Sequence, residues 1–253
     1  MSLFAESEQN ETALAGKVAI AQGALRRFDA TPPEGYETNR TATRYLSSLG
    51  GIEKLLCYID LLSTDPLLLD VGAGTTRGIR ELALISHKLG YNTRFAATVL
   101  DGTNILGFPG LSEIPIKQTP VEELEGIEDG SVSAVIGVYS IQYSAEPALA
   151  AAQIDRVLKP GGVIKTAYKI GAQKNSFGNF QHDFKEMADA LWKRGFDTKY
   201  SLDFDQEAHT GDCIILGVKP AGELIQDAGT LLDLDRSTLY PTQMGNFVEA
   251  LRS

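Results

Sequence analysis

The sequence predicts an α/β fold, a mostly parallel sheet with helices on both faces. Three observations predict it. Leu67–Val71 is a short apolar run, and Gly72 and Gly74 end it at once. A helical pattern starts near Thr75, so a strand buried on both faces, a glycine turn and a helix follow one another. Further down, Arg156–Gly162 reads RVLKPGG, where a helix stops at Pro160 and Gly161-Gly162 turns the chain into another strand.

The first of these, LLLDVGAGTTRG, places a notch lined by backbone at the carboxyl end of a sheet. Glycines there keep side chains away from a ligand that approaches the main chain. The spacing narrows the ligand. A dinucleotide fingerprint has Arg77 where it needs its third glycine, with Gly78 one residue late, and a P-loop lacks its Gly-Lys-Ser/Thr ending. A D-x-G-x-G turn without phosphate machinery remains.

Composition bounds the function. The chain has 253 residues, 43% of them hydrophobic, enough to bury a sizeable core. A formal net charge of −10 disfavours a large nucleic-acid footprint and favours a small-molecule substrate. Cys57 and Cys213 are far apart, and no CxxC or Cys/His spacing suggests a metal site. The acidic N-terminus lacks the apolar stretch of a secretory signal, and no run approaches the ~20 apolar residues of a membrane span. A soluble, cytoplasmic protein is expected.

In chain order, Leu14, Val18, Ala21, Leu25 and Phe28 mark a helix with a narrow apolar seam, for packing on its own domain or, alternatively, for a homodimer contact. Arg40–Leu49 reads as a second helix, broken by Gly50-Gly51. Ile52, Leu55, Leu56 and Ile59 mark a third. Residues 1–65 thus form a helical cap on the domain that follows. Ile79, Leu82, Ile85 and Leu89 give the helix after the glycine turn. The second strand runs from Phe95 to Leu100 and stops at Asp101-Gly102. An acid at that place can accept hydrogen bonds from ribose hydroxyls, although the pair is also a good turn. A third strand is expected at Ile114–Lys117, a fourth at Val132–Tyr139 and a fifth at Val163–Tyr168. Ala150, Ile154, Val157 and Leu158 lie on one helix face, and so do Phe184, Met187, Ala188 and Leu191. Residues 198–204 and 212–218 read as a closing pair of strands.

The DVGAG turn, the EELE loop, the Asp129-Gly130 turn and RVLKPGG occur in the order that resembles the class I S-adenosylmethionine-dependent methyltransferases, type 11 small-molecule-like group. The resemblance covers about residues 66–220 and leaves 221–253 as a C-terminal extension. It implies a Rossmann-like seven-stranded methyltransferase sheet with the last strand antiparallel, and S-adenosyl-L-methionine as cofactor. It further implies that Gly72, Ala73 and Gly74 let backbone approach the methionine and ribose parts, while Asp70 orders the loop or meets the amine. Asp101 would take the ribose hydroxyls, with Leu100 and Gly102 flanking adenine. The loop around Val121 and Glu122 would edge the adenine, and Val138 and Tyr139 would lie by the transferring methyl. Three positions depart from the family pattern. Thr76 stands at the third glycine, where the start of a helix would make it tolerable. Pro120 stands at the acid of the adenine loop, and Ser133 at a common aspartate.

The expected activity is methyl transfer to a small-molecule acceptor by in-line displacement. Tyr139-Ser140-Ile141-Gln142 follows the fourth strand in place of an NPPY-like segment, which argues against amino-methylation of bases. A cofactor-binding scaffold without chemistry is the alternative from another class, and an RNA or protein methyltransferase is a third reading. His182 is the candidate general base, since an imidazole titrates near neutrality; an exposed loop histidine is the simpler reading. Tyr139, Tyr143 and Tyr168 can line an acceptor pocket or pack in the core. Tyr36, Arg40 and Arg44 can close over the cofactor carboxylate, against the simpler reading of a solvated helix face. Ser176–Phe184 reads as a lid segment.

Overall fold

A computed structural model describes residues 40–100, 105, 108–171, 184–205 and 210–221. The helix expected over 11–28, Tyr36, Asp101, Gly102, residues 176–183 with His182, and the extension past 221 lie outside these residues. Helices α1 (Ala42–Leu49) and α2 (Glu53–Leu62) lead into β1 (Leu67–Val71). Then come α3 (Arg77–Lys88), β2 (Arg94–Val99), β3 (Ile116–Gln118) and β4 (Val132–Val138), with a 3₁₀ turn at Ile141–Tyr143. Helix α4 (Pro147–Val157), β5 (Leu158–Gly171), α5 (Phe184–Lys193), β6 (Asp197–Asp205) and β7 (Thr210–Val218) follow.

The seven strands form one sheet in the order β3-β2-β1-β4-β5-β7-β6. Strands β3, β2, β1, β4 and β5 pair in parallel. Strand β7 runs antiparallel to both β5 and β6, so the expected antiparallel last strand is present. The period of two in β1 explains the layering. Leu68 joins one apolar cluster with α1, α2 and α3, while Leu69 and Val71 join the other with α4 and α5. The same alternation puts Asp70 on the face that α1 covers.

Local chemistry sets the ends of α1. Thr41 caps it by accepting a hydrogen bond from the Arg44 backbone N–H at 3.3 Å. Gly50, at φ 66°, ends it in the left-handed conformation that glycine adopts without penalty, and Gly51 N–H returns to Leu46 O at 2.8 Å. Two long-range bonds then fix α1 and α2 on the sheet. Lys165 Nζ donates to Gly51 O at 3.0 Å, and Tyr58 Oη to Gly161 O at 2.8 Å.

Several expected boundaries move. Strand β5 begins at Leu158, five residues early, because Leu158 already pairs with Val132. The KPGG turn is an irregularity inside that strand, with Gly161 at φ 74° and its N–H on Lys219 O. Helix α3 begins at Arg77, and Thr76 before it is left-handed at φ 68°. The helix has therefore not started at Thr76, and threonine holds a conformation suited to glycine. Its Oγ1 is occupied by Arg80 Nε at 3.0 Å. Strand β4 ends at Val138, and Tyr139 turns away at φ 51°. Tyr168 is 2% exposed inside the α4–α5 cluster, which removes it from any acceptor pocket. Among the described residues, no helix is long and apolar enough to cross a membrane, and no cluster of His, Cys, Asp and Glu could hold a metal ion.

Close packing of α1 on α3 yields a test. A Cβ at Gly78 would lie 2.4 Å from Tyr45 Cε2 and 2.9 Å from Arg40 O. Gly78→Ala should therefore destabilise the protein by about 1–3 kcal/mol in urea unfolding, despite alanine's better helix propensity. A stabilised variant would contradict this packing.

Candidate active site

The carboxyl ends of β1 and β4 frame the site. From β1 the chain builds β2 and β3 on one side, then crosses back to β4 on the other. The crevice at this switch in direction is where open α/β sheets take ligands. The glycine loop Gly72–Gly74 edges it, with Gly72 at φ 71° and Gly74 at φ 57°.

Three neighbours hold that loop. From β2, Thr98 accepts the Gly72 N–H on Oγ1 at 3.2 Å and the Ala73 N–H on its backbone O at 2.9 Å. From beyond β4, Ser140 Oγ donates to Val71 O at 2.5 Å. From the cap, Arg40 Nη2 donates to Gly72 O at 2.8 Å. A Cβ at Gly72 would fall 2.6 Å from Ser140 Cβ, so glycine is required there by Ser140 as well as by φ.

Asp70 lies beneath the loop, wholly buried, and its Oδ2 accepts a hydrogen bond from Tyr45 Oη. Its Oδ1 has no partner. Burial pushes its carboxyl up to about 7, against the opposing effects of the Tyr45 bond and the Arg40 charge. Burial, with the Asp70 carboxylate beside it, also raises the Tyr45 phenol well above its ordinary value. Arg40 is 6% exposed, and its Nε has no partner either. The expectation of a solvated helix face therefore fails for Arg40.

The other expected residues among the described ones lie in the glycine loop, after β3 and at the end of β4. Ala73 is buried and Gly74 half-buried. The side chains of Val138 and Val121 belong to the apolar clusters, so only their backbones are left to border a ligand. Glu122 is buried, and its Oε1 accepts from Ser144 Oγ at 2.9 Å and from the Ala145 N–H. That carboxylate thus ties the loop after β3 to the loop after β4. Tyr139 does not stand open. Its Oη donates to Asp212 Oδ1 at 3.0 Å, Lys169 Nζ reaches the same oxygen at 3.3 Å, and the Arg44 guanidinium lies 5.3 Å from its ring centre. Burial raises the Tyr139 phenol, so it holds its proton.

Sequence reasoning missed Tyr45, Thr98 and Ser140. For Tyr45 a signal existed. Ala42, Tyr45, Leu46 and Leu49 fall on one helical face, and a buried tyrosine needs a partner for its hydroxyl.

Comparison with known proteins bears on what this crevice takes. The family described as "Methyltransferase domain" matches residues 69–165, from the middle of β1 to the middle of β5. Those residues of the chain are thus a methyltransferase domain. No curated protein matches it significantly. Several solved structures share the architecture of this chain. The [4+2]-cyclase SpnF is 16% identical, with a TM-score of 0.53, covering 74% of this chain and 86% of its own. A putative sarcosine dimethylglycine methyltransferase from Galdieria sulphuraria is 14% identical, with a TM-score of 0.53, covering 70% and 86%. A phosphoethanolamine N-methyltransferase 2 from Haemonchus contortus, in complex with S-adenosyl-L-methionine, is 15% identical, with a TM-score of 0.52, covering 74% and 58%. At these identities the likeness establishes the fold.

The residues of this methyltransferase fit its cofactor. S-adenosylmethionine carries an amino-acid arm with one carboxylate and one ammonium group. The crevice offers a glycine loop with Gly72 and Gly74 left-handed, a buried guanidinium with an unpartnered Nε and a buried acid with an unpartnered Oδ1.

The elevated Asp70 pKa makes a stability prediction. Folding raises this carboxyl from its ordinary 3.8 to about 7, so the folded state binds the proton more tightly. The group's favourable contribution is complete below about pH 4 and is lost as pH rises through about 7. Wild type should lose stability relative to Asp70→Asn across that window in denaturant titrations. Parallel pH profiles for the two proteins would contradict the assignment.

Proposed function

We propose that this methyltransferase acts on a small-molecule acceptor, with the cofactor's amino-acid arm over Gly72–Gly74 and its carboxylate beside Arg40. The observation that carries the proposal is the buried Arg40 guanidinium at the glycine loop, a positive charge held where an anionic arm would enter. The net charge of −10 supports a small acceptor over RNA, and two structural neighbours are a putative sarcosine dimethylglycine methyltransferase and a phosphoethanolamine N-methyltransferase.

When bound, S-adenosylmethionine supplies an electrophilic methyl on a sulfonium. The chain's part is to hold, orient and exclude water. Gly72, Ala73 and Gly74 give the arm close access to backbone, and Asp70 supports that loop from below. Asp101 is assigned the ribose hydroxyls, with Gly102 beside the adenine. Val121 and Glu122 edge the adenine through the loop that Glu122 ties down. Val138 and Tyr139 border the methyl, with Tyr139 as a wall because its proton is committed to Asp212. His182 is assigned the acceptor proton. Alignment of donor and acceptor can supply about 7–11 kcal/mol of barrier lowering, so no dyad is required.

Calorimetric titration tests the proposal. S-adenosylhomocysteine should bind in the micromolar range, and Asp101→Ala should weaken it at least tenfold. Arg40→Met should weaken S-adenosylhomocysteine by tenfold or more while leaving 5′-methylthioadenosine, which lacks the amino-acid arm, within about threefold. A tenfold loss is worth about 1.4 kcal/mol, within the range for a charge-assisted hydrogen bond. Equal losses for both ligands would remove Arg40 from the arm. His182→Ala should lower turnover far more than cofactor affinity, and unchanged turnover would remove His182 as the base.

A further inference from the structure

Tyr45 has no part in the reading above, yet it occupies the most constrained position beneath the loop. Its side chain is wholly buried, and its ring lies against Gly78 with no room for a Cβ between them. Among the described residues, its hydroxyl makes the one hydrogen bond that Asp70 receives, on Oδ2.

The neighbouring charges make that bond consequential. The Arg40 charge is close enough to Asp70 to oppose the rise in its pKa, and both residues are almost wholly buried. No ion pair joins them. Instead Arg40 Nη2 is on Gly72 O, while Arg40 Nε and Asp70 Oδ1 are both buried without partners. A buried guanidinium and a buried carboxyl, each with an unsatisfied atom, gain from pairing with one another. The Tyr45 hydroxyl donates to Asp70 Oδ2, and the Arg40 guanidinium is near enough to that hydroxyl to oppose the rise in its pKa.

We propose that Tyr45 is a positioning residue for cofactor binding: its hydroxyl holds Asp70 away from Arg40, so that Arg40 stays on the Gly72 carbonyl with its charge available to the cofactor's carboxylate. Without that hydroxyl, Asp70 turns to Arg40, the guanidinium leaves Gly72 O, and the loop loses its hold from the cap. The inference rests on the cofactor site proposed above and adds to it a residue that touches neither the cofactor nor the acceptor.

Tyr45→Phe isolates the hydroxyl, because phenylalanine keeps the ring against Gly78. Binding of S-adenosylhomocysteine and of 5′-methylthioadenosine is measured by calorimetry above pH 7, where Asp70 carries its charge, for wild type, Tyr45→Phe, Asp70→Asn and the double variant, with a thermal melt of each. The single Tyr45→Phe variant should lose at least tenfold in S-adenosylhomocysteine affinity and less than threefold for 5′-methylthioadenosine. Asparagine has no charge with which to capture Arg40, so adding Tyr45→Phe to Asp70→Asn should change affinity by less than threefold. A Tyr45→Phe variant that binds like wild type overturns the inference, and so does one that loses as much in the Asp70→Asn background. Should the single variant not fold, the Asp70→Asn pair decides by itself: equal affinities support the inference and a tenfold loss overturns it. Wild type that binds neither ligand overturns the cofactor site itself, and is thereby distinguished from failure of the Tyr45 role.

Discussion

A carboxyl group at the end of a buried parallel strand has few ways to be accommodated. The pleat of β1 sends Asp70 to the face under α1, where water does not reach it. Burial costs such a group its hydration, so it must take a proton or find a donor. The donor is Tyr45, and much of the upper half of the molecule follows from that contact. Tyr45 sits over Gly78 because no side chain is there to displace it, which seats α1 on α3. Ala42 N–H meets Glu81 Oε2 at 2.7 Å, and Arg77 holds the other oxygen of Glu81 at 2.7 Å, so the start of α1 is pinned to the same helix. Arg40, just before α1, then has only a short reach to Gly72 O.

The glycine loop is therefore held from three directions by residues distant in sequence. Thr98 fixes its amides, Ser140 fixes the carbonyl before it, and Arg40 fixes the carbonyl within it. A loop held this way enters binding already shaped, which lowers the cost of ordering it around a ligand. Glu122 does the same work on the far rim by tying the loop after β3 to the turn after β4. The division of labour suits a methyltransferase. The reactive carbon belongs to the cofactor, and the chain contributes alignment and electrostatics.

Sheet and helices were legible where a strong local signal met an unambiguous partner. Leu67–Val71 ran straight into two glycines, and the helical face of α5 at Phe184, Met187, Ala188 and Leu191 is buried as its spacing required. Boundaries failed where pairing overrode local punctuation. The KPGG sequence looks like a turn, but Leu158 finds Val132 across the sheet and strand β5 begins there. Thr76 and Tyr139 take left-handed conformations that no propensity anticipates for a β-branched or aromatic residue. In both, a side-chain bond to another element accompanies the strain, Arg80 on Thr76 and Asp212 on Tyr139. The glycine turn and Asp70 were legible as a motif, because their place at the end of β1 follows from local sequence. Arg40 was named for the cofactor carboxylate against the simpler reading of a solvated helix face, while Tyr45 was not named, since its place arises only when a segment far upstream folds over the loop.

The most direct measurement is the crystal structure of the protein with S-adenosylhomocysteine. The account predicts the amino-acid arm over Gly72–Gly74, its carboxylate within hydrogen-bonding distance of Arg40, the adenine beside Val121 and Glu122, and Tyr45 still on Asp70. A ligand seated away from the β1–β4 crevice, or one whose carboxylate ignores Arg40 while Arg40 pairs with Asp70, would contradict it.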